Sequence, residues 1–119
     1  MAQLLGRAYI KVDGALLRTN TGAKIDLGGA IRAAVVGNAV HGYSEAIKQS
    51  SVECEISLAA GDSLESIRNI KDATITFEAD TGQVYVVRSA WLTEPPVVSE
   101  GDGGKIALKF EGQPAEESV

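Results

Sequence analysis

Residues 51–58 read Ser51-Val52-Glu53-Cys54-Glu55-Ile56-Ser57-Leu58, an unbroken alternation of polar and apolar side chains. In an extended strand successive side chains point to opposite faces, so Val52, Cys54, Ile56 and Leu58 share one face while Glu53, Glu55 and Ser57 share the other. That is the pattern of a strand with one side on a core and one side in water.

The same period recurs on both sides of this stretch. Upstream, residues 7–12 place Ala8, Ile10 and Val12 against Arg7, Tyr9 and Lys11, and Asp13-Gly14 supplies the residue types of a tight hairpin turn, which needs φ > 0 at both central positions. Downstream, Ala73, Ile75, Phe77 and Ala79 alternate with polar neighbours, and Asp80-Thr81-Gly82 turns the chain into residues 83–93. There strict alternation puts Val84, Val86, Ala90 and Leu92 on one face and Tyr85, Val87 and Trp91 on the other. A last strand over 105–111 turns Ile106, Leu108 and Phe110 inward. Thirteen glycines against three prolines suit short strands joined by tight turns.

One helix is expected over 63–70. Asp62 can cap it, Glu65 lies three residues later as in a capping box, and Leu64, Ile67 and Ile70 fall near helical spacing. It is expected to cover the open face of a sheet. Residues 17–29 read as a long polar loop centred on Thr19-Asn20-Thr21-Gly22, and loops of that length are usually functional. Residues 31–43 are small or branched on both faces, which predicts a strand covered on one side by the core and on the other by a neighbouring subunit. The sequence divides into one domain over 1–112 and a tail, 113–119, expected to be disordered.

Length and composition narrow the classes further. The 119 residues are 45% hydrophobic, enough to bury a core. The longest apolar run, Ala33-Ala34-Val35-Val36-Gly37, is far shorter than the roughly 20 residues of a membrane helix. Met1-Ala2-Gln3-Leu4-Leu5 has neither the basic nor the apolar region of a signal peptide, so a cytoplasmic site of synthesis is expected. Net charge is −5, which argues against general nucleic-acid affinity. Residues 1–48 hold six bases against three acids, a balance of +3, and the remainder hold five against thirteen, a balance of −8. In a subunit that meets its neighbour through two different surfaces, that split favours head-to-tail contact.

Catalytic motifs are weak. Asp80-Thr81-Gly82 matches the nucleophile loop of aspartic proteases, where two such carboxylates share a proton, yet no later apolar-apolar-Gly stretch completes that pattern. A hairpin turn is the simpler reading. His41 is the sole histidine, so one chain builds neither a His-based triad nor a multi-His zinc site. The single Cys54 excludes an intrachain disulfide and reads as a core thiol. Glu45, Glu53 and Glu55 suffice for acid–base work, but solvated strand faces explain them as well. No enzyme, cofactor or metal site is expected.

The order and spacing of these elements resemble the tail tube proteins of Mu-like contractile-tailed phages. The resemblance rests on Val52-Glu53-Cys54-Glu55-Ile56, the helix over 63–70, and Asp72-Ala73-Thr74-Ile75-Thr76-Phe77-Glu78-Ala79-Asp80-Thr81-Gly82. It continues through Tyr85-Val86-Val87, Ala90-Trp91-Leu92-Thr93-Glu94-Pro95-Pro96, the glycine turn and the strand ending Phe110-Glu111-Gly112, and spans roughly residues 5–112. It implies a mainly β fold of two packed antiparallel sheets, sandwich- or barrel-like, with one flanking helix. It also implies hexameric rings stacked into a tube inside a contractile sheath, a virion component that conducts DNA. The partners it implies are further copies of the chain, the sheath, baseplate and terminator proteins, and a tape measure protein and DNA in the lumen. No small-molecule substrate or membrane insertion is implied. On that basis Arg18, Thr19, Asn20, Thr21, Lys24 and Asp26 are candidates for reaching the next ring, and Glu45, Glu53 and Glu55 for lining the lumen. A contractile bacteriocin or type VI-like tube is the alternative within the class. A ligand-binding β-barrel is the alternative outside it, disfavoured by the 5% aromatic content and the apolar stretch 31–40.

Overall fold

The alternation of 51–58 becomes burial. In the computed structural model, which describes residues 2–58 and 63–118, Val52, Cys54 and Ile56 of β6 (Ser50–Ser57) are buried while Glu53 and Glu55 face outward. Five strands precede β6: β1 (Ala8–Val12), β2 (Ala15–Leu17), β3 (Lys24–Asp26), β4 (Gly29–Val36) and β5 (Val40–Lys48). After it come the one-turn helix α1 (Glu65–Arg68) and strands β7 (Ala73–Ala79), β8 (Val84–Leu92), β9 (Lys105–Gly112) and β10 (Glu116–Ser118).

The main ladder runs β2-β1-β7-β8-β9-β6-β3, with β10 on the far edge of β8, and its pairings are antiparallel. Two layers result. One is β2-β1-β7-β8-β10, the other β9-β6-β3, and they join where Trp91 and Leu92 pair with Glu111 and Phe110. The core lies between them: Ile10, Ile75, Phe77 and Val87 meet Cys54, Ile56, Ile106, Leu108 and Phe110. The β1–β2 turn is as expected, with φ of 49° at Asp13 and 86° at Gly14, and the Asp13 carboxylate accepts the Thr74 N–H at 2.9 Å.

Four expectations are corrected. The inward face of β8 is Tyr85 and Val87, then Ala90 and Leu92, because Ser89 takes φ 53° and the pairing slips between Ala73↔Ala90 and Ile75↔Val87. One extra residue inverts the alternation, as a bulge must. The helix over 63–70 shrinks to α1; Leu64, Ile67 and Ile70 still pack on the core, and the expected cap Asp62 lies outside the described residues. The tail 113–119 is not disordered as far as Ser118: β10 pairs with β8, Arg88 meets Glu116 at 3.3 Å, and the Ala115 N–H donates to the Leu27 carbonyl at 2.8 Å. Polar composition hid a segment whose backbone groups find partners on an open strand edge.

The fourth correction concerns residues 31–43. They form no single strand against the core. They belong to the β4–β5 hairpin, which turns at 37–39 and is exposed on both faces from Ala30 to Ile47. Sequence alone shows no period there because neither face is polar, and a turn made by Gly37-Asn38-Ala39 is easily read through.

Candidate subunit interface

The β4–β5 hairpin is an arm built as an extension of β3 and β6. Asp26 lies opposite Ser51, and three residues further along each strand Gly29 lies opposite Lys48, so the ladder resumes without slipping. The root is tight. Gly28 takes φ 67°, and a Cβ there would sit 2.7 Å from the Gln49 carbonyl carbon and the Ser50 nitrogen. Lys48 donates to Asp26 at 2.5 Å and the Gly28 N–H does so at 3.0 Å, which holds the Asp26 carboxyl below its ordinary range. Ser50, fully buried, donates its hydroxyl to the Gln113 carbonyl at 2.6 Å and clamps the root to the C-terminal segment.

Cross-strand pairing sorts the arm into two faces. Ala30/Ile47, Arg32/Glu45 and Ala34/Tyr43 share one; Arg32 bonds Glu45 at 3.2 Å and lies 5.9 Å from the centre of the Tyr43 ring. Ile31/Ala46, Ala33/Ser44 and Val35/Gly42 share the other, which is uncharged beyond the root. Val40 at the tip is 74% exposed and Ile47 86%. Solvent-exposed ribbons of two strands are marginal alone, and runs of exposed apolar side chains mark contact surfaces. The arm also lengthens the molecule: the radius of gyration is 17.3 Å, against about 13–14 Å for a compact chain of this length.

At the opposite end of β3 lies a groove of about 620 Å³, bounded by Leu5, Tyr9, Leu16, Phe77 and residues 18–23. Of the residues expected to reach the next ring from a long polar loop, Thr19 and Asn20 are held here against β6. Thr19 bridges to Ile56, the Asn20 N–H donates to the Glu55 carbonyl at 2.7 Å, and the Asn20 side chain meets both Glu55 and Ser57 at 3.1 Å. Arg18 and Thr21 line the groove, whereas Lys24 and Asp26 are part of β3.

The acidic candidates do not form one cluster. Glu45 is on the arm, paired with Arg32. Glu53 and Glu55 stand on the outward face of β6, where Lys24 at 2.9 Å and Lys109 at 3.8 Å flank Glu53. The Lys24 hydrogen bond, chiefly, keeps the Glu53 carboxyl below its ordinary range. Across this face Lys24, Lys48, Lys105 and Lys109 balance Asp26, Glu53, Glu55 and Glu111, so it carries no acidic surplus.

The Asp80 carboxylate braces the fold. Its two oxygens accept the Gly6 N–H at 3.3 Å and the Arg7 N–H at 3.1 Å, tying the start of the chain to the β7–β8 turn. His41 lies at the arm tip, its ring packed over Gly37. Burial pushes the Cys54 thiol up to about 11. Among the described residues no group of three or more His, Cys, Asp or Glu is placed to hold a metal ion.

A family model described as phage tail tube protein matches residues 1–117. The Mu-like prophage FluMu tail tube protein of Haemophilus influenzae is 36% identical over 108 residues, covering 91% of this chain and 90% of that protein. The tail tube protein of Escherichia phage Mu is 33% identical over 106 residues, covering 89% and 87%. Among solved structures, the tube-terminating cap of the anti-feeding prophage matches with a TM-score of 0.70 at 11% identity, covering 100% of this chain and 93% of that one. A chain of the extended sheath-tube complex of the extracellular contractile injection system PVC matches with a TM-score of 0.64 at 13% identity, covering 95% and 88%. The latter two likenesses concern the fold.

Proposed function

The chain belongs to the phage tail tube family and is a structural subunit of a tail tube; on that premise we propose that its copies join through the β4–β5 arm into hexameric rings that stack as a conduit for DNA within a contractile sheath. One observation carries this reading: an arm rooted in register in the body offers an uncharged face that the subunit itself leaves uncovered. The role is mechanical and not enzymatic. Sheath, baseplate and terminator proteins are the other partners, and a tape measure protein and then DNA occupy the lumen. Assembly takes place in the host cytoplasm, and the finished subunit resides in the virion tail.

Glu53 and Glu55 line the lumen in this proposal, on a face whose balanced charge gives DNA no net grip. Glu45 belongs to the arm contact instead. Among the inter-ring candidates, Lys24 and Asp26 act at the arm root, while Arg18, Thr19, Asn20 and Thr21 present the opposite end of the subunit.

Negative-stain electron microscopy of the purified protein across a concentration series, with size-exclusion chromatography, tests the proposal. Rings or tubes with a central channel are expected. A compact monomer at every concentration, even with tail-initiating components added, overturns it. The fold likeness to injection-system chains favours a second reading, a tube in a particle without a genome; particles that assemble but carry no DNA would establish it.

A further inference from the structure

We propose that the groove bounded by Leu5, Leu16, Phe77 and residues 18–23 is the acceptor for the arm of a second copy of this chain. The inference deepens the tube reading and rests on it.

Direction decides who fills the groove. Residues 18–23 enter β3 at its first end, and the arm leaves β3 at its last. From Ala23 to the arm tip at Val36 is thirteen residues of near-continuous strand, about 43 Å at strand rise. The molecule's 62 Å long axis and the exposure of residues 30–47 agree that the arm points outward and does not fold back on its own body. An arm at one end and a groove at the other make a heterologous contact. Repeated, such a contact closes into a ring or winds into an open helix.

The groove lining is mixed, with Arg7 and Arg18 among it, and its apolar part matches the arm. Leu16 and Tyr9, both on the groove, are exposed large hydrophobic residues, and the arm brings Ile31, Val35 and Val40 without a charge to desolvate. Arg32 on the opposite arm face is already neutralised by Glu45. An eight-residue ribbon is about 26 Å long and roughly 10 Å wide, so its uncharged face and one edge remove roughly 350 Å². That is under half of the ~800 Å² per partner of a standard stable interface, so the arm supplies one part of a contact that assembly repeats.

Two single-site variants test the contact, Val35→Cys on the arm and Leu16→Cys on the groove. The native Cys54 stays silent, since it is buried and its thiol is raised to about 11. The two proteins are mixed, assembled, checked by electron microscopy, oxidised and run on a non-reducing gel. Disulfide dimers of Val35→Cys with Leu16→Cys are expected at least about tenfold above a Val35→Cys and Glu100→Cys control, because docking raises effective concentration to the millimolar range. Rings or tubes that lack this cross-link, with Leu16→Cys still open to maleimide at the free-subunit rate, overturn the acceptor assignment and leave the tube reading standing. Failure of the unmodified chain to assemble overturns both.

Discussion

Replacing Ile31 with lysine separates assembly from folding. Ile31 is 50% exposed in the free subunit, paired across the arm with Ala46 and remote from the core. A surface change of this kind alters the stability of the monomer by only about 0.5 kcal/mol. In the assembled contact the same position loses an apolar burial of roughly 1.5 kcal/mol and acquires an unpaired ammonium, which costs several kcal/mol more. The sum is at least about 4 kcal/mol per contact, or roughly a thousandfold in pairwise affinity. Urea unfolding of Ile31→Lys should therefore match the parent, while sedimentation velocity shows monomers at concentrations where the parent forms rings or tubes. Ile47→Lys, on the opposite arm face, tells whether the neighbour embraces one face or both. Assembly of Ile31→Lys at the parental concentration would refute the assignment of this face to the contact. So would a loss of monomer stability as large as the loss of assembly, because the arm would then be packed on its own body.

Three further outcomes are expected. Gly28→Ala combines a left-handed φ with a Cβ overlapping the Gln49–Ser50 backbone, and should destabilise by about 2–4 kcal/mol in urea while misaiming the arm, whereas Gly6→Ala, with its nearest neighbour at 3.7 Å, should be nearly neutral. Phe110→Ala removes a fully buried ring at the centre of the core and should cost about 3–5 kcal/mol by the same measurement. The Asp26 carboxyl is held below its unfolded value of 3.8 by Lys48, so the stabilisation it lends the arm root is complete above that value and disappears as pH falls through the lower, folded one; amide protection at 27–29 and 48–50, taken relative to the intrinsic exchange rate at each pH, should fall in that acidic range, and the Asp26→Asn variant should lose this pH dependence.

Much of the body was legible because β1, β6, β7 and β9 each bury alternate residues, and period two survives in sequence. The inner face of β8 was read wrongly because a single left-handed Ser89 shifts the parity, and no residue type announces it. β3 hid inside a polar stretch since only Ile25 of its three residues is apolar. The candidate interface was half visible. An apolar stretch covered by a neighbour was inferred, but its fold into two exposed strands was not. The signal was present in Gly28-Gly29 at the entry and Gly37-Asn38 at the turn, with branched or small residues between. The charged pairs of β3, β6 and β9 depend on register, which sequence does not state, so the neutralisation of Glu53 could not be read in advance.

The unslipped register between arm and body has a mechanical meaning. A pull along the arm enters the body through two strands at once, β3 and β6. All eight residues of β6 are paired with β9, and antiparallel ladder bonds lie perpendicular to such a pull. They are loaded together in shear and do not peel one after another. If the arm docks as proposed, a loaded tube would accordingly part between intact subunits before any subunit tears at its own root.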